Sequence, residues 1–132
     1  MTDVAKGQLV LHGLHVWQDG TDEKGQPREF REPTAYPVDW PATLTGKTSI
    51  VPFTIEGDKD FMLTHITHAQ ADTATFIPMK VNVSQQDGRT LFSEACYLNT
   101  ISSQNAGQPY VLSMKRLFRR TSTNKATFEV DA

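Results

Sequence analysis

The chain contains a single cysteine, Cys96, among its 132 residues. No intrachain disulfide is possible, so the fold is not held by oxidation, and this usage fits a reducing cytoplasm. Long apolar runs are missing too. Nothing approaches the roughly twenty apolar residues of a membrane span, and MTDVAKGQLVLHGLHVW lacks the apolar core of a signal peptide. Neither a membrane nor the ordinary secretory route is expected. A surplus of positive charge is also absent: thirteen Lys and Arg against fifteen Asp and Glu leave a formal −2, which excludes the strongly basic character of a dedicated nucleic-acid binder. Convincing helical periodicity occurs in no window.

What the sequence has is alternation. In TSIVPFTIEGDKDFMLTHITH, from Thr48 to His68, two β-rich runs, Ile50 to Ile55 and Asp60 to Thr67, flank the turn formers Glu56-Gly57-Asp58-Lys59. The pattern predicts a hairpin whose Gly57 is free to take positive φ. Along its second strand Phe61, Leu63 and His65 fall on one face, and Met62, Thr64 and Ile66 on the other. Upstream, Leu9-Val10-Leu11 and Leu14-His15-Val16-Trp17 read as one kinked strand or two short ones. Downstream, Ala69 to Ala74 is a polar connection, and FIPMKVNV (76–83) is a half-buried strand with Ile77, Met79, Val81 and Val83 on one side. Pro78 marks an edge or bulge there. Asp87-Gly88 then predicts a second hairpin into Arg89-Thr90-Leu91-Phe92. After a Ser/Asn/Gln-rich loop with a short strand around Tyr97 to Ile101, YVLSMKRLF (110–118) and Ala126 to Val130 supply the last strands. The expected fold is all-β, an antiparallel two-layer sandwich of jelly-roll type.

Four of the seven prolines lie between residues 27 and 41. Each removes a backbone donor and biases its predecessor toward extended conformation. Residues 1–46 are therefore read as an N-terminal arm with short strands, and 47–132 as the β-sandwich domain. The arm carries spaced apolar anchors, Trp17, Phe30, Tyr36 and Trp40 foremost, and these are expected either to cover their own sheet or to cross a neighbour. Charge is also polarised. Residues 1–46 have four basic and seven acidic side chains, whereas 111–132 have five basic and two acidic. The opposed ends suit head-to-tail pairing between subunits as well as a mixed solvated surface. In the basic cluster, Arg116, Arg119 and Arg120 are the candidate charged contacts with a partner.

No constellation for chemistry emerges. Gly46-Lys47-Thr48 resembles the end of a phosphate-binding loop, but Pro41 stands where its first glycine belongs. His12 and His15, like His65 and His68, are spaced i, i+3, which places them on opposite faces of a strand and not as a metal pair. Cys96 has no cationic neighbour in sequence to activate it. Asp58 and Asp60 sit in a turn, where carboxylates commonly bond the local backbone. Catalytic residues, metal and cofactor are all expected to be absent.

From Ser49 to Val130 the layout includes GDKDF before an alternating strand, V-N-V, the phrase DGRTLF, a Gly-x-Pro lead into YVLSMKRLF and a closing strand. It resembles small structural proteins of tailed-bacteriophage virions, and in particular is similar to the jelly-roll cement or decoration proteins that clamp capsid shells. The resemblance implies a non-enzymatic protein at the capsid surface, made in the host cytoplasm. It also implies binding to the major capsid protein or another virion protein, and a homo-oligomer. The competing expectation is a carbohydrate- or receptor-binding β-sandwich module of a phage tail or head-neck component.

Overall fold

The structure, a computed structural model, describes residues 2–3, 7–40, 43–44, 48–70, 79–98 and 109–130. Its ten strands are β1 (Thr2–Asp3), β2 (Gly7–Thr21), β3 (Pro27–Trp40), β4 (Thr43–Leu44), β5 (Thr48–Thr54), β6 (Asp60–Gln70), β7 (Met79–Ser84), β8 (Cys96–Tyr97), β9 (Tyr110–Phe118) and β10 (Thr123–Val130). They form two four-stranded antiparallel sheets, β3-β2-β6-β9 and β5-β10-β7-β8, and a small β1-β4 pair. The protein is all-β with two antiparallel sheets, and both contribute to one apolar core. Leu9, Leu11, Val38, Phe61, Leu63 and Phe118 come from the first sheet; Met79, Val81, Val83, Ala126 and Phe128 come from the second. Period-two alternation supplies this core, since β7 buries every second residue and β10 does the same through Asn124, Ala126 and Phe128.

Several expectations change. The runs on either side of Glu56–Lys59 are not a hairpin: β5 pairs with β10, whereas β6 pairs with β2 and β9. The chain passes from one sheet to the other there, and the β9–β10 corner makes the same passage beside it. The two corners are tied together by Ile55 N–H to Ser122 O (3.0 Å) and Thr121 N–H to Ile55 O (3.1 Å). Gly57 does not take positive φ; Thr121, at φ 61, does. On β6 a register shift lets Gly13 face Leu63 while His12 faces His65, so that Thr64 is the extra residue. That bulge reverses the alternation, bringing Ile66 and His68 into the interior beyond Leu63 and turning His65 to the outer face with His12.

A further change concerns the expected arm. Residues 27–40 are strand β3, paired with β2 along its length, and the expected boundary at 46/47 separates β2 from β6, its neighbour in the sheet. Prolines 27, 33 and 37 are accommodated because β3 is an edge strand, where a missing donor faces solvent and not a partner strand. Pro52 lies likewise in edge strand β5. The expected strand following Ser84 is reduced to one bridge, Ser84 to Thr90. Residues 71–78 and 99–108, which include Ile77, Pro78 and Ile101, lie outside the described residues, as do Pro41, Gly46 and Lys47.

Candidate functional site

The β2–β3 ladder outruns the sheet. β6 pairs with β2 only as far as Val16, but β2 and β3 remain paired out to Thr21 and Pro27. Every residue from Gln18 to Pro33 is exposed. At about 3.3 Å per residue, the hairpin projects roughly 17 Å past the end of β6, before its turn. The turn is locally specified. The Asp22 carboxylate accepts from Lys24 N–H (2.8 Å) and Gln26 N–H (2.9 Å), and Gly20, at φ 70, sits where β2 takes one residue more than β3.

Two of the four expected anchors lie at the base of this projection. Trp17 and Phe30 are direct cross-strand partners with stacked rings, 5.6 Å between centroids. The Lys59 ammonium lies 4.6 Å from the Trp17 ring and reaches Glu32 at 3.7 Å, while Arg28 lies over Phe30. The other two anchors belong to the molecule's own interior. Trp40 is only 2% exposed, packed against Phe128 and over the backbone of Gly7. Tyr36 is half-buried with its ring edge against Phe61. Its hydroxyl accepts from Glu56 N–H (3.3 Å) and shares a hydrogen bond with His15 Nε2 at 2.6 Å. Burial raises the Tyr36 pKa, partly offset by that backbone donor. Trp40 is therefore corrected from partner anchor to core residue, and Tyr36 to a fastening between β3 and the β5–β6 corner.

The basic cluster divides in the same way. Arg116 faces inward opposite Leu63 and donates to Gln85 Oε1 (3.0 Å) and Thr90 O (3.3 Å). Gln85, buried, donates in turn to Leu117 O (2.7 Å). Together they tie β9 to the β7 turn, so Arg116 is an internal strut. Arg120 is held by Asp60, through its backbone N–H (2.9 Å) and Nε (3.3 Å). Arg119 is exposed and makes no ion pair among the described residues.

Among the described residues β9 is the edge strand opposite β3, and no proline interrupts it. Its register with β6 jumps from Leu63–Arg116 to His65–Val111, so part of the stretch between loops out. Val111 is 68% exposed and Met114 81%. Beside its C-terminal end, the β7 turn and the β9–β10 corner enclose a cleft of about 450 Å³ lined by Arg89, Leu117, Arg119 and Arg120. The floor is fixed by Gln86 N–H to Asn124 Oδ1 (3.1 Å) and Thr123 N–H to Gln86 Oε1 (2.7 Å). An adjoining hollow shares Arg89 and Leu117 and adds Met114 and Lys115. Arg89 is paired with Asp87, whose carboxyl is held below its usual pKa chiefly by the Arg89 backbone N–H.

Sequence reasoning placed His12 and His65 on separate strands with no relation. The register stacks their rings 4.5 Å apart on the outer face, with His12 Nε2 2.8 Å from Thr67 Oγ1 and His65 Nδ1 2.9 Å from Thr64 Oγ1. Desolvation, and then the neighbouring His65, lower the His12 pKa. Only cross-strand pairing carries this signal, and the bulge that sets it is invisible in local alternation. Among the described residues, no three His, Cys, Asp or Glu side chains gather to hold a metal. Comparison with protein-family models, curated proteins and solved structures gives no match.

Proposed function

We propose that this is a non-enzymatic structural protein of a tailed-bacteriophage virion, a cement or decoration protein that binds the capsid shell and bridges its units. The observation that carries the reading is the projecting β2–β3 hairpin: sixteen successive exposed residues, 18–33, held in a defined turn and presented from a two-sheet body. A paired hairpin loses little conformational entropy when it docks, which favours a reach toward a neighbouring protein. The Trp17–Phe30 stack at its base provides rigid aromatic surface of the kind enriched at interface centres. Strand order gives further support. β5, β6 and β7 lie alternately in the two sheets, and β10 returns between β5 and β7 while β9 lies beside β6. That winding fits a jelly roll with β2 and β3 added along β6.

The test uses phage particles grown on the source host and banded on a density gradient, probed with an antibody to this chain. Recovery in the particle band at a fixed copy number relative to the major capsid protein is expected. Confinement of the chain to the soluble fraction of the same lysate would overturn the reading. The double variant W17A/F30A, whose side chains lie outside the core cluster, should remain folded by circular dichroism but fail to rebind particles stripped of the wild-type chain.

A further inference from the structure

We infer that the hairpin's partner is a second copy of this chain, and that the tip of one copy seats on the basic end of β9 of the next. The inference rests on the reading of the hairpin as a docking element, and it holds whether or not the assembly it joins is a virus shell. Charge complementarity is the first argument. From Trp17 to Glu32 the hairpin carries five carboxylates, Asp19, Asp22, Glu23, Glu29 and Glu32, against Lys24, Arg28 and Arg31. From Pro109 to Arg120 the β9 segment carries Lys115, Arg116, Arg119 and Arg120 and no acid.

Local geometry sharpens the pairing. Asp22 is spent on its own turn and Arg116 on its own interior. At the tip this leaves Asp19 and Glu23, with Lys24 and Arg28 beside them, and at the end of β9 Lys115 and Arg119, none of which forms an ion pair among the described residues. Arg119 lines the cleft, and Met114 and Lys115 line the hollow beside it. The spacings also correspond. Phe30 lies four to five residues from the apex of its hairpin, and Met114 five residues from Arg119, so at roughly 3.3 Å per residue both separations are at most about 17 Å. A carboxylate tip at the cleft therefore brings Phe30 to the exposed Met114, a favourable sulfur–aromatic contact.

Tip and acceptor are different surfaces of one molecule, so the contact is head to tail. Such contacts close into a ring when the rotation permits and otherwise extend as a filament. The opposite edge strand, β3, contains three prolines and offers a second strand few donors. Of the two edges of this sheet, β9 is the one left open to association.

Sedimentation velocity over a range of concentrations tests the inference on the full chain. The wild type should form a defined assembly that dissociates as salt is raised. A tip-reversed variant, D19K/E23K, and an acceptor-reversed variant, K115E/R119E, should each be folded and dissociate at least tenfold more readily. Mixed in equal amounts, the two should assemble again, because each reversed surface then meets its complement. A folded wild type that stays monomeric at every concentration would overturn the inference, as would two folded variants that fail to restore assembly on mixing. Loss of folding in either variant, detected by circular dichroism, is answered by the milder pair E23Q and R119Q, each of which should weaken assembly on its own; assembly as strong as wild type in both would also overturn it. Detection in virus particles does not depend on any of these outcomes, so the two readings fail separately.

Discussion

Gly13→Ala tests the glycine with least room for a side chain among the described residues. A Cβ on Gly13 would lie 1.9 Å from Met62 O, 2.9 Å from Met62 C and 3.0 Å from the Phe61 ring. Ordinary carbon–oxygen contacts begin near 3.3 Å, so about 1.4 Å of separation is missing, and the obstacle is backbone. Rotation of a side chain cannot relieve it. β2 must move away from β6 at the bulge where Gly13 faces Leu63, loosening Leu63 and Phe61 beneath. Overpacking generally costs about 1–3 kcal/mol and occasionally more, and the gain in strand preference over glycine returns only about 0.5–1 kcal/mol. With a backbone obstacle the cost lies at or above the top of that range, about 3–4 kcal/mol, so a net loss of about 3 kcal/mol is expected, a large share of the 5–15 kcal/mol typical of a domain. Urea unfolding followed by the fluorescence of Trp17 and Trp40 measures it; with a slope of about 1–3 kcal/mol per molar, the midpoint should fall by about 1–3 M. Gly57→Ala is the internal control. Its Cβ would meet nothing nearer than Thr121 Cγ2 at 3.8 Å and its φ is not positive, so a gain of about 0.4–1 kcal/mol is expected from reduced freedom of the unfolded chain. Equal midpoints for the two variants would refute the proposed seam between β2 and β6.

Phe61→Ala, at a fully buried position where Tyr36, His15 and Phe118 meet, should cost about 3–5 kcal/mol, read as a fall in the urea midpoint with the fold retained by circular dichroism. Gln85→Ala removes the donor to Leu117 O and the acceptor of Arg116; a loss of about 1–3 kcal/mol is expected, and a neutral result would show that Gln85 is not the tie between β9 and the β7 turn. The lowered His12 pKa means that the unfolded chain takes up its proton first as pH falls. The contribution is complete above the unfolded value near 6.5 and is lost as pH descends toward the folded one. Urea midpoints at pH 7.5 and 5.5 should differ in that direction, and His12→Gln should reduce the difference; an unchanged difference would remove the stacked pair from the account.

The sheet-forming segments were legible wherever one face is buried and the other wet. Met79, Val81 and Val83 announce β7, and Ala126 and Phe128 lie as expected for a strand ending at Val130, although that strand begins at Thr123, inside the expected turn. Pairing was not legible, because Glu56–Lys59 is turn chemistry whether the next strand folds back or crosses to the other sheet. The choice depends on β10, far along the chain. Proline misled at 27–40, where its cost to a ladder was counted but its tolerance on an edge was not. The even phase of Tyr36, Val38 and Trp40 was the available sign that this segment is a strand with one face in the core. Of the candidate site, Trp17, Phe30 and Arg119 were visible as residue types. Met114 was not, because it lies in the stretch of β9 that falls out of register with β6, and neither was Val111, whose pairing with His65 is set by that same shift.

The central position of β10, between β5 and β7, imposes an order on how the molecule is made. β2, β3 and β6 are all synthesised early and can pair as soon as they leave the ribosome. β5 must wait for β10, its one partner strand among the described residues, and at roughly 5–20 residues per second several seconds separate the synthesis of Thr54 from that of Val130. Throughout that interval β5 is an orphan strand with the apolar residues Ile50, Val51 and Phe53. Pro52, at its middle, denies a passing chain one ladder bond, so it protects the nascent protein during a stage that the finished fold conceals.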